Sequence, residues 1–309
     1  MKHRAPLFGT AVLSCLTWAC TGASAYDAPP DRQALVRVPL DIHEGHAYVH
    51  VRVNGAPPVW FLLDTGAAAP VNLIDRGLAR RLGITTSEER TAGAIGGATT
   101  VTMTKPASIV IGDFGLPPQP LAAIDLGGAE AAEGHAVAGI LGYPLFEAYV
   151  VELDYVHRRL ALYVREDSRS AAPGEHLPLS IESKAPVLRA VLTVDGRPPI
   201  DVRLIVDTGY DGFLVLNSPF VRRLGMTTGS DPGSSGAGLG GVTRSRDTVV
   251  KQLILGNLVE TNLPARLSLD ESGPFAASSV DGFVGGKLLE KYVATFDYRH
   301  QELVLRRSQ

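Results

Sequence analysis

The segment LLDTG at residues 62–66 decides the fold, because a close copy, IVDTG at residues 205–209, returns 143 residues later. In each copy an apolar run typical of a buried strand leads directly into an aspartate, and the Thr-Gly that follows favours a tight turn. Asp64 and Asp207 are therefore each expected at the mouth of a turn, pointing out of a hydrophobic sheet. One such turn is ordinary, whereas two in register indicate a repeated unit.

Further landmarks recur at nearly the same spacing and extend the repeat over most of the chain. They are RRLG at 80–83 and 222–225, IGG at 95–97 with LGG at 239–241, GILG at 139–142 with GFVG at 282–285, YV at 149–150 and 292–293, and DY at 154–155 and 297–298. A solenoid needs several stacked units, so two copies favour a duplicated lobe with a pseudo-two-fold axis. We expect lobes at residues 32–164 and 179–306, joined by a linker at 165–178 that contains Pro-Gly.

The local patterns predict mainly β-structure in both copies. Strands are expected at residues 47–53, 59–63, 108–111, 187–194, 200–206 and 252–255. Asn54-Gly55 and Asp195-Gly196 follow the first strand of each copy and suit type I′ hairpin turns. Short helices are expected at residues 73–82 and 218–224. Many short strands with regular turn signals predict a barrel or sandwich in each lobe.

The two aspartates carry the chemistry if the axis passes between their turns. Carboxylates in contact cannot both ionise cheaply, so Asp64 and Asp207 would share one proton. One could then act as a general base on water and the other as a general acid toward a carbonyl, without a metal or a covalent intermediate. Their neighbours support the pair. Thr65 and Thr208 can tie the turns together, and Gly66 and Gly209 allow close backbone approach.

These motifs resemble the catalytic sequence of aspartic proteases, in which DTG follows an apolar run and a later apolar-apolar-Gly packs beneath the turn. Residues 140–142 and 283–285 are similar to that later motif. The resemblance covers residues 35–305 and implies the acid protease fold, as two retropepsin-like units fused in the pepsin-like arrangement. It implies an endopeptidase with a peptide or protein substrate and no cofactor. It also implies glycine-rich flaps, with substrate-binding tips at Ile95, Gly96, Gly97, Leu239, Gly240 and Gly241.

The second copy departs from the family pattern beside its aspartate. Ala67 follows the first Gly as the family expects, but Tyr210 follows the second, and Asp211 adds a third carboxylate. A spoiled dyad would leave a catalytically weak or inactive peptide-binding module of the cell envelope, which is the alternative function. A carboxylate-pair glycosidase is a third hypothesis, and it requires carboxyls about 5 Å or more apart.

Composition and the N-terminus limit the partners. The formal charge of −3 gives no footprint for nucleic acid. Residues 1–25 read as a signal peptide, with Lys2, an apolar stretch and an Ala-Ser-Ala cleavage site in order. The protein is therefore expected to be periplasmic or secreted, and monomeric. Cys15 and Cys20 each lie in a sequence that imperfectly resembles a lipoprotein processing site, so a lipid anchor is the alternative and the one expected membrane contact.

Two weaker signals are set aside. Residues 236–241 satisfy a G-x-G-x-x-G pattern but lack the strand and helix that a dinucleotide site needs. His43, His46 and His50 precede the first hairpin, and His46 and His50 would share a strand face. We expect them at solvent-facing positions rather than in a metal site, because no cysteine or clear fourth ligand accompanies them.

Overall fold

The computed structural model describes residues 33–94, 97–127, 135–165, 172–226, 234–238 and 241–307, so the expected signal segment lies outside the described residues. The strands of the first half are β1 Val36–Pro39, β2 Asp41–His43, β3 His46–Val53, β4 Val59–Leu63, β5 Leu73–Asp75, β6 Thr86–Ala94, β7 Gly97–Thr104, β8 Ala107–Ile111, β9 Phe114–Gln119, β10 Ala122–Ile124, β11 Gly139–Leu141, β12 Val150–Asp154 and β13 Arg159–Tyr163. Those of the second half are β14 Glu175–Glu182, β15 Ala185–Thr193, β16 Ile200–Asp207, β17 Leu214–Leu216, β18 Ser234–Gly238, β19 Gly241–Leu255, β20 Leu258–Ser268, β21 Gly282–Gly285, β22 Tyr292–Asp297 and β23 Glu302–Arg307. The short helices are α1 Arg76–Arg81, α2 Tyr143–Ala148, α3 Ser218–Arg223 and α4 Gly286–Leu289, with a 3₁₀ turn at Pro274–Ala276.

The second lobe is a closed six-stranded barrel in the order β15-β16-β21-β17-β20-β19, and pairing of β19 with β15 closes it. The first lobe follows the corresponding order β3-β4-β11-β5-β10-β7 but curls into an open half-barrel, in which β3 pairs with β8. The expected mainly β fold with two barrel-like lobes is confirmed.

Proline accounts for one difference between the lobes. Strand β19 runs unbroken for 15 residues, whereas its counterpart in the first lobe is divided into β7 and β8 at Lys105-Pro106. Proline has no N–H to contribute to a ladder, so it ends pairing at this point. The break between β9 and β10 at Pro120 has no such explanation, because the single strand β20 of the second lobe contains Pro264.

In each lobe the strand that leads to the aspartate pairs with a central strand, which also pairs with a third strand on its other side. Strand β11 lies between β4 and β5, parallel to β4 and antiparallel to β5. Strand β21 lies in the same way between β16 and β17. Strands β11 and β21 are buried on both faces, which matches their continuous apolar sequences. This pairing places each aspartate turn on the side of its lobe that faces the other lobe.

A six-stranded antiparallel sheet joins the lobes, in the order β1-β13-β12-β22-β23-β14. At its centre β12 of the first lobe pairs with β22 of the second, with Glu152 opposite Thr295. Phe146 and Phe296 meet edge to face across the same junction, with ring centroids 5.4 Å apart. Strand β14 begins at Glu175, inside the segment expected to be a linker, and pairs with β23.

Two local predictions need correction. The first helix begins at Arg76 rather than at residue 73, because residues 73–75 pair with β10 and β11 and Asp75 then caps the helix by accepting from the N–H of Leu78 at 2.7 Å. Asn54 and Gly55 both have positive φ, as a type I′ turn requires, but of Asp195 and Gly196 only the glycine does. No helix among the described residues is long and apolar enough to span a bilayer.

Candidate active site

The two aspartates stand at equivalent ends of β4 and β16. Asp64 follows β4 directly, and its backbone N–H donates to the carbonyl of Leu141 on the neighbouring strand at 3.0 Å. Asp207 is the last residue of β16 and lies opposite Gly285 of β21. Asp64 is partly exposed, whereas Asp207 is 2% exposed. As a whole residue, Asp64 therefore has more solvent-accessible surface than Asp207.

Two threonines lock the turns together across the pseudo-two-fold axis. The hydroxyl of Thr208 accepts from the N–H of Thr65 at 3.0 Å and donates to the carbonyl of Leu63 at 2.7 Å. The hydroxyl of Thr65 accepts from the N–H of Thr208 at 3.0 Å and donates to the carbonyl of Val206 at 2.7 Å. Both threonines are fully buried. The four reciprocal bonds hold two chain segments in one arrangement, so the separation of the aspartates is set by the backbone.

The two carboxyl groups lie on either side of the axis, close enough for each to shift the pKa of the other. Their turns cross closely. A Cβ added to Gly66 would overlap the carboxyl of Asp207, and one added to Gly209 would overlap that of Asp64. Backbone donors complete the site, because the N–H of Ala67 reaches Asp64 Oδ1 and the N–H of Gly209 reaches Asp207 Oδ1, each at 2.9 Å. Glycine is therefore required at residues 66 and 209, because any side chain there would overlap the opposite carboxyl.

The environment raises the pKa of both carboxyls. Burial raises the pKa of Asp64, and it raises that of Asp207 well above its ordinary value, to which the charge of Asp64 adds. Two carboxylates close together cannot both ionise cheaply, so Asp207 is the better site for a proton.

The later glycine motifs pack beneath the turns. A Cβ on Gly142 would overlap the chain at Ala67, and a Cβ on Gly285 would overlap Tyr210 and the carbonyl of Gly212. The residue after each motif glycine donates its N–H to the turn, from Tyr143 to the carbonyl of Ala67 at 3.2 Å and from Gly286 to that of Tyr210 at 2.9 Å. The repeat at 139–142 and 282–285 therefore supports the aspartate turns physically.

The sequence pattern of aspartyl proteases matches residues 49–145 and matches again at residues 190–285. The chain belongs to the aspartyl protease family. Each match contains one aspartate turn and the glycine motif beneath it, so the family unit occurs twice, as the internal repeat indicates. No curated protein matches the chain.

Tyr210 and Asp211, which depart from the sequence pattern expected of aspartyl proteases, lie away from the carboxyl pair. The ring of Tyr210 is 6% exposed and packs edge to face on Phe275, with ring centroids 5.9 Å apart, inside the second lobe. Asp211 pairs with Arg266 at 3.0 Å, which compensates its charge. Tyr210 therefore fills a space within its own lobe rather than the gap between the aspartates.

A β-hairpin in each lobe corresponds to the expected flaps. Strands β6 and β7 pair up to Ala94 opposite Gly97, and β18 and β19 pair up to Gly238 opposite Gly241. Gly97 and Gly241 thus lie beside the hairpin tips. The other four predicted tip residues, Ile95, Gly96, Leu239 and Gly240, lie outside the described residues. Strands β7 and β19 also contact each other, so the two hairpins approach from opposite lobes.

The histidine prediction was wrong for one residue. His50 is exposed and stacks on Trp60 at 3.5 Å between ring centroids, but His46 is buried, at 3% exposure, and its Nε2 lies 3.0 Å from the carbonyl oxygen of Gly209. The described residues contain no cluster of three or more His, Cys, Asp or Glu suited to a metal. His46 is a site residue that the sequence reasoning missed, because it lies in the first lobe and contacts the turn of the second.

Asn72 is a second residue that the sequence reasoning missed. It is 1% exposed, and its Oδ1 accepts from the N–H of Gly142 at 2.8 Å while its Nδ2 donates to Gln119 at 2.9 Å. It therefore anchors the glycine motif under the first turn. A polar residue just before the apolar β5 was the available signal.

Proposed function

We propose that this protein is an aspartic endopeptidase, which hydrolyses internal peptide bonds with a water molecule activated by Asp64 and Asp207. The observation that carries the proposal is the pair of neighbouring carboxyls at the junction of two turns locked by reciprocal threonine bonds. Amide hydrolysis by water can use this arrangement, with one carboxyl as the base, the other as the acid and one proton between them.

The different environments of the two carboxyls favour different roles. Asp64, the more exposed, accepts a proton from the attacking water, whose oxygen bonds to the peptide carbonyl carbon. Asp207 donates its proton to the carbonyl oxygen, giving a neutral tetrahedral diol. When the C–N bond breaks, Asp64 returns its proton to the leaving nitrogen and Asp207 recovers one from a hydroxyl of the diol. The pair thus ends the cycle with one proton, as it began.

The substrate proposal follows from the hairpins above the pair. A chain lying between two hairpins from opposite lobes is held in extended form, and closure of the hairpins excludes water from the reacting bond. An extended peptide or an unfolded protein segment fits such a cleft better than a folded surface does. Each carboxyl lies against the glycine of the other turn, and this close approach argues against the glycosidase hypothesis, which needs carboxyls about 5 Å or more apart.

The experiment is cleavage of an internally quenched peptide library by the purified protein between pH 3 and pH 8. Asp64→Asn and Asp207→Asn should each abolish cleavage, while Asp195→Asn, at an exposed hairpin tip, is the matched control. Pepstatin should inhibit the wild type. Full activity in either dyad variant would show that the shared-proton mechanism is wrong.

The alternative function, a peptide-binding module without turnover, has less support because Tyr210 and Asp211 leave the pair undisturbed. It predicts binding of library peptides with no cleavage at any pH. We further propose that the protein acts outside the cytoplasm, on the strength of the signal-like residues 1–25, and as a monomer, because one chain supplies both aspartate turns. N-terminal sequencing of the exported protein would distinguish cleavage before Tyr26 from lipidation at Cys15 or Cys20.

A further inference from the structure

The hydrogen bond from His46 crosses from the first lobe to the catalytic turn of the second. Its Nε2 lies 3.0 Å from the carbonyl oxygen of Gly209, and the imidazole is 3% exposed. A carbonyl oxygen can only accept, so Nε2 carries a hydrogen and donates it. A buried donor that reaches a backbone acceptor 163 residues away along the chain constrains that backbone.

The acceptor is the residue that touches both carboxyls. The N–H of Gly209 donates to Asp207 Oδ1 at 2.9 Å, and the Cα of Gly209 lies against the carboxyl of Asp64 closely enough to exclude any side chain. A shift of this glycine would therefore change the hydrogen bonding of Asp207 and the packing of Asp64 together. His46 acts on the dyad through Gly209.

The β2–β3 hairpin delivers His46 and is itself anchored to the second lobe. Its turn residues Glu44 and Gly45 both have positive φ. Gly45 lies directly on Gly286, where a Cβ on either glycine would clash, and Glu44 pairs with Lys287 at 2.9 Å. The imidazole is thus held by a rigid turn against α4.

The equivalent hairpin of the other lobe has no such donor. In β14–β15 the closing pair is Glu182 and Ala185, where β2–β3 has His43 and His46. Both hairpins enclose two residues of positive φ, so Ala185 occupies the place of His46.

The first aspartate turn is closed differently. The carbonyl of Gly66 accepts locally, from the N–H of Ala68 at 2.8 Å. The two turns are therefore alike in their threonines and glycines but unlike in what holds the glycine carbonyl.

We propose that His46 is a positioning residue of the dyad, holding the second catalytic turn from the opposite lobe and making Asp64 and Asp207 inequivalent. The inference rests on the proposed function and deepens it. His46 has two roles in this proposal. As a hydrogen-bond donor it fixes the position of Gly209, and as a titratable group it can place a charge beside both carboxyls.

The charges around His46 determine the expected pH effect. They include the dyad itself, Glu44 with its partner Lys287, and His43, which lies opposite His46 in the hairpin. The ring of Tyr48 packs edge-on, with ring centroids 6.1 Å apart. The positive charge of a protonated His46 lowers the pKa of Asp64 and Asp207. Removing the imidazole therefore raises the pH at which the dyad first ionises and moves the acid limb of activity upward.

Two substitutions separate the two roles. His46→Gln keeps an N–H donor near the position of Nε2 but removes the titratable ring, so kcat at the optimum should stay near wild type while the acid limb of kcat/KM moves to higher pH. His46→Ala removes both, so kcat should also fall, by roughly three- to tenfold for one lost hydrogen bond, with KM little changed. His50→Ala, which removes an exposed histidine from the same strand, is the control.

The measurements are pH profiles of kcat and KM for each variant, together with ¹³C NMR titration of the aspartate carboxyls, which needs no turnover. An acid limb and carboxyl titration in His46→Gln identical to those of His50→Ala would overturn the inference, as would equal loss of kcat in His46→Gln and His46→Ala. A wild type that cleaves nothing, but whose carboxyl titration moves in His46→Gln, would refute the proposed endopeptidase and leave the positioning role supported.

Discussion

Replacing Thr208 with valine tests the lock between the two lobes, because valine keeps the shape of threonine and removes its hydroxyl. That hydroxyl accepts from the N–H of Thr65 and donates to the carbonyl of Leu63. Thr208 is fully buried, so water cannot replace either bond. The substitution leaves one donor and one acceptor of the first lobe without these partners.

The cost follows from those two groups. Leaving a buried polar group unsatisfied costs about 1–3 kcal/mol, so two such groups lower the free energy of unfolding by about 2–6 kcal/mol. A domain is stable by about 5–15 kcal/mol, so the loss is a large share of the total. Thr65→Val should cost a similar amount, because Thr65 makes the mirror-image bonds. The double variant should cost less than the sum, since the two residues share partners.

Equilibrium urea unfolding at constant pH measures this cost, and Thr208→Ser is the matched control because serine retains the hydroxyl. Peptide cleavage measured on the folded fraction of Thr208→Val should also fall, since the hydroxyl helps to set the distance between the carboxyls. If Thr208→Val and Thr208→Ser unfold at the same urea concentration, the threonine bonds do not hold the lobes together.

Three other perturbations have directions determined by the structure. Burial raises the pKa of Asp207, so the folded protein loses stability as the pH rises above the ordinary aspartate pKa of about 3.9. Asp207→Asn should therefore be more stable than wild type at pH 7, by about 1.4 kcal/mol for each unit by which the pKa is raised. The advantage should disappear near pH 3, and thermal unfolding at both pH values measures it. Gly66→Ala should abolish cleavage and lower the unfolding midpoint, since its Cβ would overlap the carboxyl of Asp207, while Gly115→Ala, with open space around it, should do neither. Burial alone would raise the pKa of Glu260, but hydrogen bonds, first that from Lys291, outweigh burial and lower the pKa. The ionised carboxylate therefore stabilises the fold at neutral pH, and this stability is lost on acidification. Glu260→Gln should be less stable than wild type at pH 7 and much closer to it at pH 3.

The repeat in the sequence predicted the architecture because its landmarks are the residues that physics constrains most. An aspartate turn that must approach its copy needs Gly66 and Gly209, and the motif beneath each turn needs Gly142 and Gly285. Such positions tolerate no other residue, so they stay recognisable in both halves. The strands that lead to the aspartate turns were predictable because each ends in an apolar run, at residues 59–63 and 204–206.

The differences between the lobes were harder to predict, although some left a signal. Pro106 divides a long strand of the first lobe, but a search for similarity between halves passes over positions where they disagree. The start of α1 was misplaced because residues 73–75 are apolar enough for either a helix or a strand, and the pairing with β10 and β11 decides between them. The position of the Tyr210 ring depends on Phe275, which is remote in sequence.

Function in a duplicated protein depends on what the duplication does not preserve. A strictly symmetric pair of carboxyls would have no reason to hold its proton on one side, yet hydrolysis needs one base and one acid at the start of each cycle. Here the symmetry is broken by unequal burial of Asp64 and Asp207 and by a histidine where the other lobe has Ala185. His46 was expected to face solvent because its group of three histidines lacks a clear fourth metal ligand and has no copy in the second half. In a duplicated chain, the residues that both halves share indicate the fold. The residues that differ between the halves and contact the common site are the candidates for giving its two carboxyls different roles.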